Sequence, residues 1–128
     1  MDYQSYAKGL IQRLKTKGYS LLEPRAPLDF ALIKHGALLQ TYVVGVYPPF
    51  GGTNSPNEVL QLTRDWFYSM YKNNGSGLLL FAYYQAPPWA IEQIKNFSGQ
   101  VGGGVIDLNS SWQWVTGSLG WDQEVGAA

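Results

Sequence analysis

The sequence predicts an α/β domain in which a mixed β-sheet is flanked by helices in a three-layer arrangement. Three observations carry that class. An unbroken apolar and aromatic run, Leu78 to Tyr84, is bounded by Asn74-Gly75-Ser76-Gly77 before and Ala86-Pro87-Pro88 after. A strand with no polar alternation must be covered on both faces, and although a buried helix segment can read the same way, the Gly and Pro punctuation and the two tyrosines favour a central strand. Helical periodicities stand before and after that run. Finally, strand, helix and strand succeed one another over residues 78–108, the length of a βαβ unit, which predicts parallel strands joined by a right-handed crossover.

Composition bounds what such a domain does. At 128 residues the chain is the size of one domain, able to close a core without disulfides or a structural metal. Nine basic and nine acidic side chains give zero net charge, so the excess of cations a nucleic-acid binder uses to displace phosphate counterions is missing. There is no cysteine and one histidine, which removes disulfides, thiolate metal sites and a cysteine nucleophile, and leaves no metal or cofactor expected. The first residues lack the basic start and apolar core of a secretory signal, and the longest apolar run is far short of a membrane span, so the expectation is a soluble cytoplasmic chain.

Along the chain, Tyr3, Tyr6, Ala7, Leu10, Ile11 and Leu14 recur at helical steps, and Lys15, Lys17 and Gly18 close the helix, predicting residues 3–17. Its cations Lys8, Arg13, Lys15 and Lys17 are scattered and read as a solvated face. Tyr19 to Leu22 is a brief or edge strand, stopped by Pro24 and Pro27. Phe30–Lys34 and Leu38–Tyr47 are β runs separated by His35-Gly36, which reads as a two-residue hairpin with His35 in a turn role. Residues 48–54 form a loop whose glycines have no phosphate-cradle motif behind them.

Ser55-Pro56-Asn57-Glu58 is a capping box that starts a helix over 56–72. The expected apolar stripe there is Val59, Leu62, Thr63, Trp66 and Met70, widened by Leu60, Phe67 and Tyr71. A helix over 88–97 comes next, with Trp89, Ala90, Ile94 and Phe97 inward, then a Gly102-Gly103-Gly104 turn and a strand at 105–108. Residues 109–128 form a covering flap or tail. Trp112, Trp114 and Trp121 in it belong to a flap over the core or to a contact surface, to which Asp107 at the preceding strand end adds a polar candidate; a turn-stabilising aspartate is the plainer role.

The predicted order αβββαβαβ begins like the PD-(D/E)xK nuclease-like, or restriction-endonuclease-like, core. That chemistry needs an Asp on the second strand and an acid-x-Lys triplet on the third to hold Mg²⁺ and the attacking water. Asp29 stands at the first position, but Gln40-Thr41-Tyr42 occupies the triplet, with Tyr42 where the Lys belongs. No catalytic set is recognised; paired glycosidase carboxylates and a serine-hydrolase elbow are equally absent as motifs.

The stretch from Tyr3 through Leu108, particularly Ile33-Lys34-His35, the long helix after Ser55, and Leu79 to Pro87 with Trp89 to Lys95 behind it, resembles the soluble amino-terminal domain that precedes the membrane bundle in some bacterial rhomboid-family intramembrane proteases. The resemblance implies a degenerate nuclease-like, cytoplasmic, regulatory domain that does no peptide hydrolysis, binds divalent ions or partner proteins, and is tethered to the membrane through a segment beyond Ala128. The expectation is therefore a non-catalytic regulatory or protein-interaction domain, with a protein or its own membrane domain as partner and no nucleic acid. The alternatives are a Mg²⁺-dependent nuclease-like enzyme with a divergent site, and a small-ligand-binding protein using the Gly102–Gly104 turn.

Overall fold

The computed structural model describes residues 1–50, 55–71, 74–116 and 120–126. The elements are α1 (Tyr3–Thr16), β1 (Ser20–Leu22), β2 (Phe30–His35), β3 (Thr41–Tyr47), α2 (Pro56–Tyr71), β4 (Gly75–Tyr83), α3 (Pro88–Ile94), β5 (Val101–Asp107), β6 (Trp112–Val115) and α4 (Trp121–Val125). The six strands form one sheet in sequence order, parallel at β3–β4 and β4–β5 and antiparallel elsewhere.

Side chains alternate across a strand, so the sheet splits its apolar residues between two cores. On one face Leu32, Val44, Leu78, Leu80 and Ile106 meet Tyr3, Tyr6, Leu10 and Leu14 of α1 together with Trp121 and Val125 of α4. On the other, Val43, Leu79, Phe81 and Val105 meet Val59, Phe67 and Tyr71 of α2 and Ala90 and Ile94 of α3. Leu78 to Ala82 are buried throughout, and that burial on two faces contributes on the order of 10 kcal/mol to the centre of the sheet.

The local signals explain the helix ends. Asp2 accepts the Ser5 amide at 2.7 Å at the start of α1, and Ser55 Oγ accepts the Glu58 amide at 3.3 Å at the start of α2. Gly18, at φ +96°, turns the chain out of α1 in a left-handed conformation that a side chain would resist.

Several expectations are corrected. Gly102, Gly103 and Gly104 are not a turn but the buried middle of β5. A Cβ at Gly103 would lie 2.8 Å from Ile94 Cγ2, and one at Gly102 would lie 2.6 Å from Thr116 Oγ1. The glycines are there because α3 and the chain after β6 approach the sheet closely. The two-residue hairpin is instead a connection over residues 36–40, because His35 still pairs with Thr41 and the Gly36 amide bonds to Gln40 O at 2.8 Å. Leu38 and Leu39, expected in β3, sit in that connection with φ of 57° and 65°. The apolar stripe of α2 is turned: Val59, Leu60, Thr63, Phe67 and Tyr71 are buried, while Leu62 is exposed. In α3, Ala90 and Ile94 point inward but Trp89 faces solvent. Residues 109–128 carry a sixth strand and a short helix in their described part; residues 117–119 and 127–128 of the expected flap, 51–54 of the expected loop, and Lys72 at the end of the α2 expectation lie outside the described residues.

Candidate interaction surface at the carboxyl ends of the strands

Strand direction sorts the polar and aromatic residues onto two rims. The carboxyl ends of β1, β3, β4 and β5 share one rim with the starts of β2, β6 and the three longer helices. The Tyr3 hydroxyl donates to Asp29 Oδ2 at 2.7 Å, and the Met1 ammonium donates to Leu108 O at 3.1 Å, which fixes the start of α1 there. The opposite, amino rim holds His35, Thr41, Gly75, Val101 and α4.

On the carboxyl rim Phe50 stands after β3, Tyr84 stands after β4, Trp89 opens α3 and Trp112 opens β6, pairing with Asp107. All four aromatic side chains are between 37% and 67% exposed, although large aromatics gain most from burial. Behind them, the Tyr83 ring meets Trp89 edge to face at 6.4 Å. Its buried hydroxyl has no hydrogen-bond partner among the described residues, and burial, then the neighbouring Tyr47, push the phenol up to about 12.

Between the start of α1 and the end of β4 lies a cavity of about 410 Å³ lined by Asp2, Tyr3, Gln4, Asp29, Phe50 and Tyr84. Tyr3 forms its floor, edge-on to Phe50 at 5.4 Å. Burial, and then the bond to Asp29, hold the Tyr3 phenol well above its ordinary value, so it is a permanent donor. The Ser5 amide holds the Asp2 carboxyl below the usual range. Among the described residues no cation lines the cavity.

Asp107 has the turn-stabilising role. Its Oδ2 accepts the Ala86 amide and its Oδ1 the Ser110 amide, each at 2.9 Å, so one carboxylate fastens the chain after β4 to the chain after β5. The Ala86 amide first, then Ser110, hold this carboxyl below its ordinary value.

The chain matches no family model, no curated protein and no solved structure. Its own geometry is what sorts the candidate residues. The three tryptophans do not form one surface: Trp112 is on the carboxyl rim, Trp114 is half-buried against the α3-side core, and Trp121 is 1% exposed in the core beneath α1. The nuclease-like positions are also apart. The Asp29 amide bonds to Val46 O, whereas Tyr42 lies opposite Lys34, five residues and about 16 Å further along the strand from Asp29. Tyr42 donates to Gln40 Oε1 at 2.5 Å on the amino rim. Asp29, Gln40 and Tyr42 therefore do not converge, and among the described residues no three His, Cys, Asp or Glu side chains are grouped to hold a metal ion.

The amino rim has its own cavity, of about 430 Å³, between the β2–β3 connection and α4. Glu124 fills its wall with bonds to Lys34 at 3.3 Å and to the Tyr19 hydroxyl at 3.2 Å, and Lys34 lies over the rings of Tyr19 and Tyr42. Its charges are internally paired. No helix among the described residues is long and apolar enough to cross a membrane.

The sequence pattern does not mark Phe50, Tyr84, Tyr3 or Asp2 as site residues. The available signal is positional: Phe50 comes after Pro48-Pro49 and Tyr84 precedes Ala86-Pro87-Pro88, so both aromatics stand where apolar runs give way to loops.

Proposed function

We propose that this domain is a non-catalytic recognition module that docks a protein partner on its carboxyl rim. One observation carries the reading: Phe50, Tyr84, Trp89 and Trp112 are gathered on one rim and left exposed. Aromatic side chains concentrate binding energy at protein interfaces because they bury large area at small entropic cost.

Selection from a random peptide library tests this directly. The wild-type domain enriches a peptide class, and the folded Phe50→Ala, Tyr84→Ala, Trp89→Ala triple variant loses it; equal enrichment by both would refute the rim as the docking surface.

The finer reading rests on the resemblance. The succession αβββαβαβ with β6 and α4 after it is taken as a degenerate nuclease-like scaffold of the rhomboid-associated kind, regulatory, cytoplasmic and tethered beyond Ala128. Sequencing the parent message past that codon tests it. Several spans of about 20 apolar residues, one with Gly-x-Ser-x-Gly, support the tether. A nearby stop codon sinks it and leaves the docking surface standing.

A further inference from the structure

The geometry points to the cavity at Asp29 as a binding site for a guanidinium or ammonium group, and so, resting on the reading of this rim as a docking surface, to a partner that presents an arginine or lysine side chain there. The chemistry comes from the lining. Asp29 is exposed, and its Oδ2 takes the Tyr3 hydroxyl at 2.7 Å while its Oδ1 has no donor among the described residues. Phe50 and Tyr84 supply partly exposed rings beside it. A carboxylate in a cavity that aromatic rings also line suits a cation, which gains from the charge and from the ring quadrupoles together.

The positive charge and the helix pole at the start of α1 are already engaged. The Met1 ammonium is held on Leu108 O, and Asp2 accepts the Ser5 amide, offsetting the positive pole of α1. Neither competes directly for Asp29 Oδ1. The cavity, at about 410 Å³, has room for one side-chain head group and its stem.

Titration of the intact domain with N-acetylarginine methylamide, tetramethylammonium or acetate, monitored through the ring resonances of Tyr3, Phe50 and Tyr84, tests the site without any partner. The two cations should shift these resonances with a Kd on the order of 1 mM, and acetate should not. Asp29→Asn should weaken arginine binding roughly tenfold, the loss of one charge-assisted contact. Tyr3→Phe should do the reverse, tightening the guanidinium several-fold by freeing Oδ2 for a two-point contact while leaving tetramethylammonium unchanged. Absence of ring shifts in the folded protein, or equal binding by wild type and Asp29→Asn, would overturn the site.

Library selection separates this site from the broader docking reading. Peptides that need Trp89 and Trp112 but are indifferent to Asp29→Asn refute the cation site alone. Arginine derivatives that bind through Asp29, with no peptide enriched by the rim, support the cation site with a free small cation as its ligand and refute the protein-docking reading.

Discussion

The two rims of the sheet use the same kinds of residue to opposite ends. On the amino rim Tyr19, Tyr42 and Trp121 are folded inward, and the charges of Lys17, Lys34 and Glu124 close over them as ion pairs at 3.3 and 3.9 Å. On the carboxyl rim Phe50, Tyr84, Trp89 and Trp112 are turned out, and Asp29 and Asp107 accept bonds from neutral donors. The amino-rim charges cancel one another and Asp107 is used up in fastening two chain segments, whereas the exposed Asp29, met by the Tyr3 hydroxyl and by no cation lining its cavity among the described residues, keeps its field available to something else. Aromatic content alone does not distinguish a core from a surface; strand register does.

The sharpest way to break that contrast is to truncate one tryptophan on each side. Trp121→Ala should cost about 3–5 kcal/mol of stability by urea unfolding, a cavity-forming loss in a closed core, and Trp112→Ala under about 1 kcal/mol. Comparable losses would show that the two rims are packed alike.

Asp107→Asn should cost about 2 kcal/mol, because only one of the two amides that now bond to separate carboxylate oxygens keeps an acceptor, a neutral one, and the other faces the new NH2 group. Its acid dependence has a definite sign. The folded carboxyl lies below the unfolded value near 4, so its contribution is complete above that value and disappears as pH falls through the folded one. Urea midpoints between pH 2 and 6 should therefore fall less steeply in the variant, and an unchanged slope would exclude Asp107 as an acid-sensitive fastening.

On the amino rim, Leu38→Gly should stabilise by about 1 kcal/mol, since Leu38 is 87% exposed and held at φ 57°, where only glycine is unstrained. A loss of stability would mean that the leucine makes contacts that outweigh its backbone strain. The smallest effect belongs to Glu124→Gln. The pairs it makes are partly solvated, so the loss should be at most about 1 kcal/mol and should shrink in 1 M salt.

Legibility in the sequence depends on range. The helices at Tyr3 and Ser55 and the apolar run after Leu78 announce themselves through caps and period, which are local physics. The glycines of β5 mislead because the reason for them, the approach of Ile94 and Thr116, lies on other elements. In the same way Trp89 reads as inward with Ala90 and Ile94, yet it stands about 100° round the helix from the one and about 140° from the other, so burying those two turns it toward solvent. The Asp29 cavity is out of reach for a further reason: Asp2, Asp29, Phe50 and Tyr84 are brought together only by sheet order and by α1 crossing the sheet.

The fastening of the first helix to the last carries a consequence for synthesis. Arg13 Nε donates to Val125 O across 112 positions, and Trp121 completes the core over Leu10 and Leu14. At 5–20 residues per second, a ribosome needs roughly 6–22 s to travel that distance. Throughout that interval the apolar side of α1 is out of the peptidyl-transfer centre with its final cover not yet made, so the nascent chain, rather than the finished one, is the form most in need of a chaperone.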